Sequence, residues 1–303
     1  MMPSFPRKRE SSAGGALDRR VRRWRNKGDT AMTDADIMEC DVLIIGAGPA
    51  GLSAAIHLMQ QAAARELPPP NVMLLEKGAE VGAHILSGCV LEPRALNELL
   101  PDWQERGAPL EVAATEDAFY YLTESRAARL PTPPQMRNHG NYIISLGQFC
   151  RWLGEQQNCL ACRFSRVLRR RCDIEEGAIK GVRTGEFGRS KSGEEKAGFQ
   201  PALEIRAGQT LFAEGCRGSI SKQLMHHFNL RDGVQPQTYG IGLKELWQLP
   251  EGRVTPGRIV HTIGWPLKTN TYGGSFIYHL NNNQLAIGYV IGLDYANPYL
   301  DPF

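Results

Sequence analysis

The sequence predicts an α/β fold, a Rossmann-like nucleotide-binding unit followed by a smaller antiparallel β-rich unit. Three observations carry this. An apolar run leads into closely spaced glycines and then a helical stretch, from Asp41 to Met59. A second apolar run, Val72 to Leu75, ends in the acid Glu76. The last quarter breaks into short apolar segments separated by Gly, Pro and Asn clusters.

The first stretch reads D-V-L-I-I-G-A-G-P-A-G-L-S-A-A-I-H-L-M. Val42 to Ile45 is a β-branched run suited to a strand buried on both faces. Gly46, Gly48 and Gly51 complete G-x-G-x-x-G, and Leu52 to Gln60 continues as a helix. Gly46 permits the tight turn, Gly48 lets the backbone approach a diphosphate, and Gly51 lets the helix sit against the sheet. The helix N-terminus offers unpaired N–H groups and partial positive charge to the phosphates. Glu76, at the end of the second strand, suits hydrogen bonds to ribose hydroxyls. It lies 30 residues after Gly46; the interval Gln61 to Asn71, with three prolines, predicts a surface loop that absorbs the extra length. The motif alone does not separate a flavin from a nicotinamide dinucleotide.

The 303 residues suffice for one large or two ordinary domains. The net charge of +3 is misleading. Residues 1–37 carry nine Lys/Arg and five Asp/Glu, leaving 26 basic and 27 acidic groups elsewhere, so the basicity gives no warrant for nucleic-acid binding. Seven scattered cysteines suit a reducing compartment rather than a disulfide framework. No apolar run approaches the roughly 18 residues a bilayer span needs.

Residues 1–37 lack apolar periodicity and read as a disordered extension, or as upstream sequence translated from a wrongly chosen start, with Met32 or Met38 as the alternative; a transit peptide, suggested by the arginines, is disfavoured by the five acids. Residues 38–220 read as the nucleotide-binding domain. After Glu76, the glycines Gly78, Gly82 and Gly88 keep the backbone loose, and His84 sits in that loop with no catalytic role assigned. Pro93 opens a short helix with Leu96, Leu99 and Leu100 on one face. Ala108 to Leu130 predicts a strand pair, Asn141 to Ser145 a strand and Leu146 to Gln157 a helix. Asn158 to Cys172 then turns abruptly Cys- and Arg-rich. Cys159 and Cys162 form C-x-x-C, and a four-thiolate metal site would need Cys150 and Cys172 to converge on them. Locally corrupted or simply divergent sequence is the competing explanation. Glu186 to Gly198 predicts a charged loop. Leu203 to Ala207 and Thr210 to Ala213 predict two strands, the second leading into A-E-G-C-R-G-S. There Gly215 and Gly218 would let the backbone approach a ligand, with an ordinary hairpin corner as the alternative. A helix follows at Ile220 to Phe228.

Residues 221–303 read as the β-rich domain. Tyr239 to Leu243, Val260 to Trp265, Gly274 to Leu280 and Gln284 to Leu293 predict an antiparallel sheet rich in aromatics.

These strings resemble the electron transfer flavoprotein–ubiquinone oxidoreductases. The likeness rests on D-V-L-I-I-G-A-G-P-A-G-L-S-A-A, E-K-G-A-E-V-G-A-H-I-L-S-G, L-E-P-R-A-L-N-E-L-L-P-D-W, P-Q-T-Y-G-I-G-L-K-E-L-W, T-Y-G-G-S-F-I-Y-H-L and G-L-D-Y-A-N-P-Y-L. It runs from about Glu39 to Phe303. The resemblance implies a three-layer FAD-binding domain of the glutathione-reductase or hydroxylase type, and an incomplete antiparallel quinone domain. It implies monotopic attachment to a bacterial inner or mitochondrial membrane, facing the cytoplasm or the matrix. FAD and a [4Fe–4S] cluster would carry electrons from reduced electron transfer flavoprotein to ubiquinone. By position, Gly46, Gly48, Gly51 and Glu76 would hold the FAD diphosphate and ribose, Gly215 and Gly218 would form the second flavin turn, and Gly273 and Gly274 the quinone site. The segment from about Glu80 to Pro101 would be a membrane-embedded surface helix. No catalytic side chain and no metal ligand is implied within this chain.

Three departures qualify the likeness. The family's cluster cysteines lie in a C-terminal region expected beyond Phe303, as do the closing flavin motif and the rest of the quinone domain. Cys159 and Cys162 cannot replace four thiolates. Asn158 to Cys172 stands where the family has an apolar, glycine-containing strand region, a difference that a local frameshift would explain. The competing functions are a flavoprotein of the geranylgeranyl-reductase or aromatic-hydroxylase type, and an inactive fragment that cannot retain FAD.

Overall fold

A computed structural model of the chain describes residues 37–85, 88–158, 163–166, 170–190 and 192–302. The first elements are β1 (Ile37–Ile45), α1 (Pro49–Ala64), β2 (Val72–Glu76), β3 (Gly88–Leu91), α2 (Arg94–Leu99), β4 (Val112–Ala113), β5 (Glu116–Leu122) and β6 (Ala127–Leu130). Then come β7 (Tyr142–Ser145), α3 (Leu146–Asn158), β8 (Arg163–Arg166), β9 (Arg170–Glu175), β10 (Ala178–Thr184), β11 (Phe187–Arg189) and β12 (Glu195–Gln200). The chain continues through β13 (Glu204–Phe212), α4 (Ser219–His227), β14 (Gly240–Gln248), β15 (Arg258–Gly264), β16 (Gly273–His279) and β17 (Gln284–Gly292).

The first sheet has the order β8-β2-β1-β13-β10-β9. Its members β8, β2, β1 and β13 run parallel, while β10 pairs antiparallel with both β13 and β9. Alternation along β1 sends its side chains to two cores. Ile44 packs with Leu52, Ile56, Leu74, Phe149 and Leu153 on the α1/α3 side. Leu43 and Ile45 pack with Met73, Leu75, Ile205, Ile220 and Leu224 on the α4 side. This is the three-layer arrangement expected, and each fully buried Leu or Ile contributes roughly 1.5–3 kcal/mol.

The second sheet has the order β14-β17-β16-β15-β5-β6. It is mixed rather than purely antiparallel, because β5 joins it parallel to β15. A small third sheet has the order β3-β7-β4. On β7, Ile143 packs with Ile259, Tyr278 and Ala286 of the second sheet, while its neighbour Ile144 enters the α1/α3 core.

Several boundaries differ from the sequence reading. Helix α1 runs four residues beyond Gln60, because Gln61, Ala62, Ala63 and Ala64 are good helix formers and Ala62 is buried. The two strands foreseen around Gly208 are one: β13 stays in register with β1 throughout, and a Cβ on Gly208 would lie 3.1 Å from the Asp41 carbonyl oxygen. The charged loop contains the antiparallel pair β11–β12, with the Ser190 N–H donating to the Glu194 carbonyl at 2.8 Å and Gly193 at φ +90°. The Glu80-to-Pro101 segment is not one helix. It holds β3, paired with β7, and the six-residue α2. The leucine face of α2 is core: Leu96 and Leu100 are buried on the α1/α3 side, with Leu99 packed partly against them.

Candidate functional site

The turn after β1 is held at both ends. Gly46 donates its N–H to the Leu75 carbonyl at 2.8 Å, and the Ala47 N–H reaches the Glu76 carboxylate at 3.0 Å. The other Glu76 oxygen accepts the Gly78 N–H at 2.8 Å. Glu76 thus ties the glycine turn to the end of β2. Gly46 has φ +107°, and a Cβ there would overlap the Ala213 carbonyl. A Cβ on Gly51 would overlap the Gly46 carbonyl and stand 3.2 Å from Ile44 Cγ2. Gly48 differs from both: no atom lies within 4 Å of its would-be Cβ, so this side of the turn is open. Helix α1 begins there with Pro49 in its first turn, no side-chain cap and no acidic residue. Its N-terminal amides and positive dipole end suit an anion.

The turn after β13 meets this one directly. The Ala213 N–H donates to the Ile45 carbonyl at 2.8 Å. Gly215, with φ +74°, also faces open space. Gly218 is enclosed: a Cβ there would crowd the Glu214 side chain at 2.5 Å and Ser221 Oγ at 2.7 Å. The reason is the Glu214 carboxylate, which caps α4. One oxygen accepts the N–H groups of Ile220 (3.0 Å) and Ser221 (2.8 Å) and the Ser221 hydroxyl (2.9 Å). Sequence reading missed this acid's role, because a glutamate five residues before the helix start carries no local capping signal; recognised caps sit at the helix boundary itself. The tertiary structure therefore brings Gly46, Gly48, Gly51, Glu76, Gly215 and Gly218 to one end of the first sheet. Two open glycines, an uncapped helix start and a carboxylate fit a dinucleotide cofactor.

Gly273 and Gly274 open β16 with φ +154° and +156°. Added Cβ atoms would overlap the Val290 and Thr262 carbonyls respectively, so close strand approach already requires glycine at both. Around this end of the sheet Tyr121, Ile263, Trp265, Tyr272 and Leu293 are exposed, Trp265 by 52% and Tyr272 by 77%.

The remaining candidates fall away from this site. His84 is exposed in the turn after β2. Cys150 is in the α1/α3 core and Cys172 packs against the α4 core, on opposite faces of the first sheet. They cannot share a metal. Burial pushes the Cys150 thiol up to about 12 and the Cys172 thiol to about 11, which makes both poor ligands. Cys159 and Cys162 lie outside the described residues. Among the described residues no cluster of three or more His, Cys, Asp or Glu could hold a metal ion, and no helix is long and apolar enough to cross a bilayer.

Comparison with known proteins supplies two family matches. Residues 239–303 match the family described as ETF-QO, ubiquinone-binding, and residues 44–96 match an NAD(P)-binding Rossmann-like domain. The chain is 47% identical over 291 residues to the mitochondrial electron transfer flavoprotein-ubiquinone oxidoreductase of Dictyostelium discoideum, covering 93% of this chain and 46% of that protein. For the Bos taurus protein of that name the values are 51% over 275 residues, covering 88% and 44%. For the Pseudomonas aeruginosa protein they are 50% over 279 residues, covering 89% and 50%. The chain thus spans about half the length of the curated relatives it matches. Among solved structures, a geranylgeranyl bacteriochlorophyll reductase-like protein from Thermoplasma acidophilum aligns with TM-score 0.57 at 15% identity, over 84% of this chain and 57% of that one. A myxobacterial chondrochloren halogenase, described as a variant of FAD-dependent halogenases, aligns with TM-score 0.54 at 18% identity, over 84% and 53%. At such identities these two speak to the fold.

Proposed function

We propose that this chain, homologous over about nine-tenths of its length to electron transfer flavoprotein-ubiquinone oxidoreductases, is the FAD-binding and quinone-facing part of an enzyme of that activity. The observation that carries the reading is the meeting of the β1 and β13 turns, with Gly48 and Gly215 open, in a chain whose residues 239–303 match a ubiquinone-binding family.

When bound, FAD supplies the redox chemistry, accepting electrons from reduced electron transfer flavoprotein and passing them to ubiquinone. The protein's own work is to bind and orient. The α1 N-terminus and the Gly48 backbone would receive the diphosphate, Glu76 the adenosine ribose, and the Gly215 turn the flavin end. Gly218 would act indirectly, by making room for the Glu214 cap. Gly273 and Gly274 would form the floor of the quinone site. The iron–sulfur cluster of this family would draw its ligands from outside the described residues.

The exposed rim at Tyr121, Ile263, Trp265, Tyr272 and Leu293 supports attachment to a lipid surface. Tyr and Trp side chains favour the interfacial layer, where one end is apolar and the other wet. The membrane would be the bacterial inner or mitochondrial membrane, approached from the cytoplasm or matrix.

The test is a spectrum and a donor assay on the full-length gene product. Flavin absorbance bleached by reduced electron transfer flavoprotein, and restored by ubiquinone-1, is the expected result. Bleaching by NAD(P)H and not by the flavoprotein would overturn the reading in favour of a hydroxylase- or reductase-type enzyme.

A further inference from the structure

One face of the second sheet carries a strip of bare backbone that ends at a lysine. The register sets Gly242, Lys244 and Leu246 of β14 beside Val290, Gly288 and Ala286 of β17, and alternation puts all six on one face. Ala286 packs with Tyr278 and Ile143, so this face is turned toward the small sheet. Lys244 reaches that sheet: its Nζ stands 3.1 Å from the position a Cβ would take on Gly88 of β3. Toward the start of β14 the same face carries Gly242 and Gly240, both exposed. Among the described residues Val290 is the one side chain within 4 Å of either Cβ position, at 3.9 Å from Gly242 and 3.3 Å from Gly240.

The strip starts beside the turn after β13. The Arg217 guanidinium, two residues past Gly215, lies 5.2 Å from the centroid of the Tyr239 ring, and Tyr239 immediately precedes β14. From Gly240 to Lys244 the strand advances about 13 Å. One end of the strip thus adjoins the open glycine assigned to the flavin end of the cofactor, and the other end is an ammonium group held against β3. A dinucleotide with its diphosphate at Gly48 and its flavin passing Gly215 meets a flat backbone surface of a length suited to a three-ring heterocycle. The lysine head is partly withdrawn from water. Burial lowers Lys244 from its ordinary value, with Cys89 pulling the other way.

We propose that the flavin ring lies along Gly240 and Gly242 and that Lys244 is the cation that sets its reduction potential. This rests on the FAD reading above. Two electrons and one proton convert the neutral oxidised ring into a reduced ring with one negative charge. In the proposed activity the electrons come from reduced electron transfer flavoprotein, and the proton comes from solvent. An ammonium group beside the ring favours the charged form over the neutral one, and so raises the potential. Glycine at 240 and 242 is what lets the ring approach the strand closely enough to feel that charge.

The experiment uses the full-length, flavin-loaded gene product and the variants Lys244→Met, Lys244→Arg, Lys222→Met and Gly242→Val. Flavin potentials are measured by dye equilibration. Sulfite, which adds to the oxidised ring and leaves it negatively charged, is titrated as a second probe. FAD dissociation constants and urea midpoints are measured alongside. Lys244→Met should lower the equilibrium constant for two-electron reduction at least tenfold, a potential about 30 mV lower, and weaken sulfite binding by a similar factor. Lys244→Arg should keep both within threefold. Lys222→Met removes an exposed charge from α4 and should keep both within twofold. Gly242→Val should weaken FAD binding at least tenfold at an unchanged urea midpoint, since its Cβ meets no atom closer than 3.9 Å; Gly242→Ala is read in the same way where the valine lowers the midpoint. A Lys244→Met protein with the parent's potential and sulfite affinity, or with a shift that Lys222→Met matches, overturns the role of the lysine. Unchanged FAD affinity in the Gly242 variants overturns the placement of the ring. Both results leave the FAD reading standing, whereas a parent that binds no FAD overturns that reading itself.

Discussion

The Glu76 carboxylate accepts the Ala47 N–H at 3.0 Å, joining the end of β2 to the glycine turn after β1. Its second oxygen takes the Gly78 N–H at 2.8 Å. The acid at the second strand's end therefore shapes the turn as well as facing the place proposed for the ribose. Hydrogen bonds to a charged acceptor contribute about 1.5–3 kcal/mol when sheltered, and Glu76 is only half-buried. Glu76→Gln keeps the volume and loses the charge. FAD affinity should fall about tenfold, with at most about 1 kcal/mol lost from the fold, read by flavin titration and urea unfolding.

Gly46 and Gly48 separate folding from binding. Gly46→Ala meets both a φ of +107° and the Ala213 carbonyl. It should cost about 2–4 kcal/mol and yield little folded protein. Gly48→Ala enters open space. Its urea midpoint should stay near the parent's while flavin retention drops severalfold. Equal loss of stability in the two variants would refute the assignment of Gly48 to the cofactor.

Glu214→Ala removes the α4 cap and should cost about 1–2 kcal/mol in urea unfolding. Gly218→Ala should cost a similar amount, because its methyl displaces the same carboxylate. The double variant should be little worse than either alone, since both break one interaction.

His261 makes stability pH-dependent. Its folded value is lowered, by burial first, against the opposing pull of Asp117. A depressed histidine leaves the unfolded chain holding more protons wherever the two states differ. Its contribution is thus whole above the ordinary histidine range near 6.5, and is lost as pH falls from there through the folded value. His261→Gln should flatten part of the decline in urea midpoint between about pH 7 and 5. His279, also lowered by burial, leaves a residual slope in that variant.

Trp265→Ala and Tyr272→Ala probe the exposed rim. Each should weaken co-sedimentation with phosphatidylcholine vesicles severalfold and leave the urea midpoint unchanged, because both side chains are more than half exposed. Unchanged vesicle binding in the double variant would remove the rim from the membrane proposal.

The strand–glycine–helix unit was legible in the sequence because local rules alone specify it. A β-branched run, glycines at fixed offsets and a helical period need no distant partner to be read. The same holds for β2 ending in Glu76, and for the strand-rich character of 239–303. Tertiary structure decided the rest, because those features depend on residues far apart in sequence. Nothing local says that β5 leaves the first half to pair with β15, or that Gly208 passes through the middle of an unbroken strand. Whether a glycine faces open space, as Gly48 and Gly215 do, or a carbonyl or carboxylate, as Gly46 and Gly218 do, is a matter of what packs against it. The sequence determined which residues could hold a dinucleotide; only the packing of the β1 and β13 turns against each other decided which of them are free to touch one.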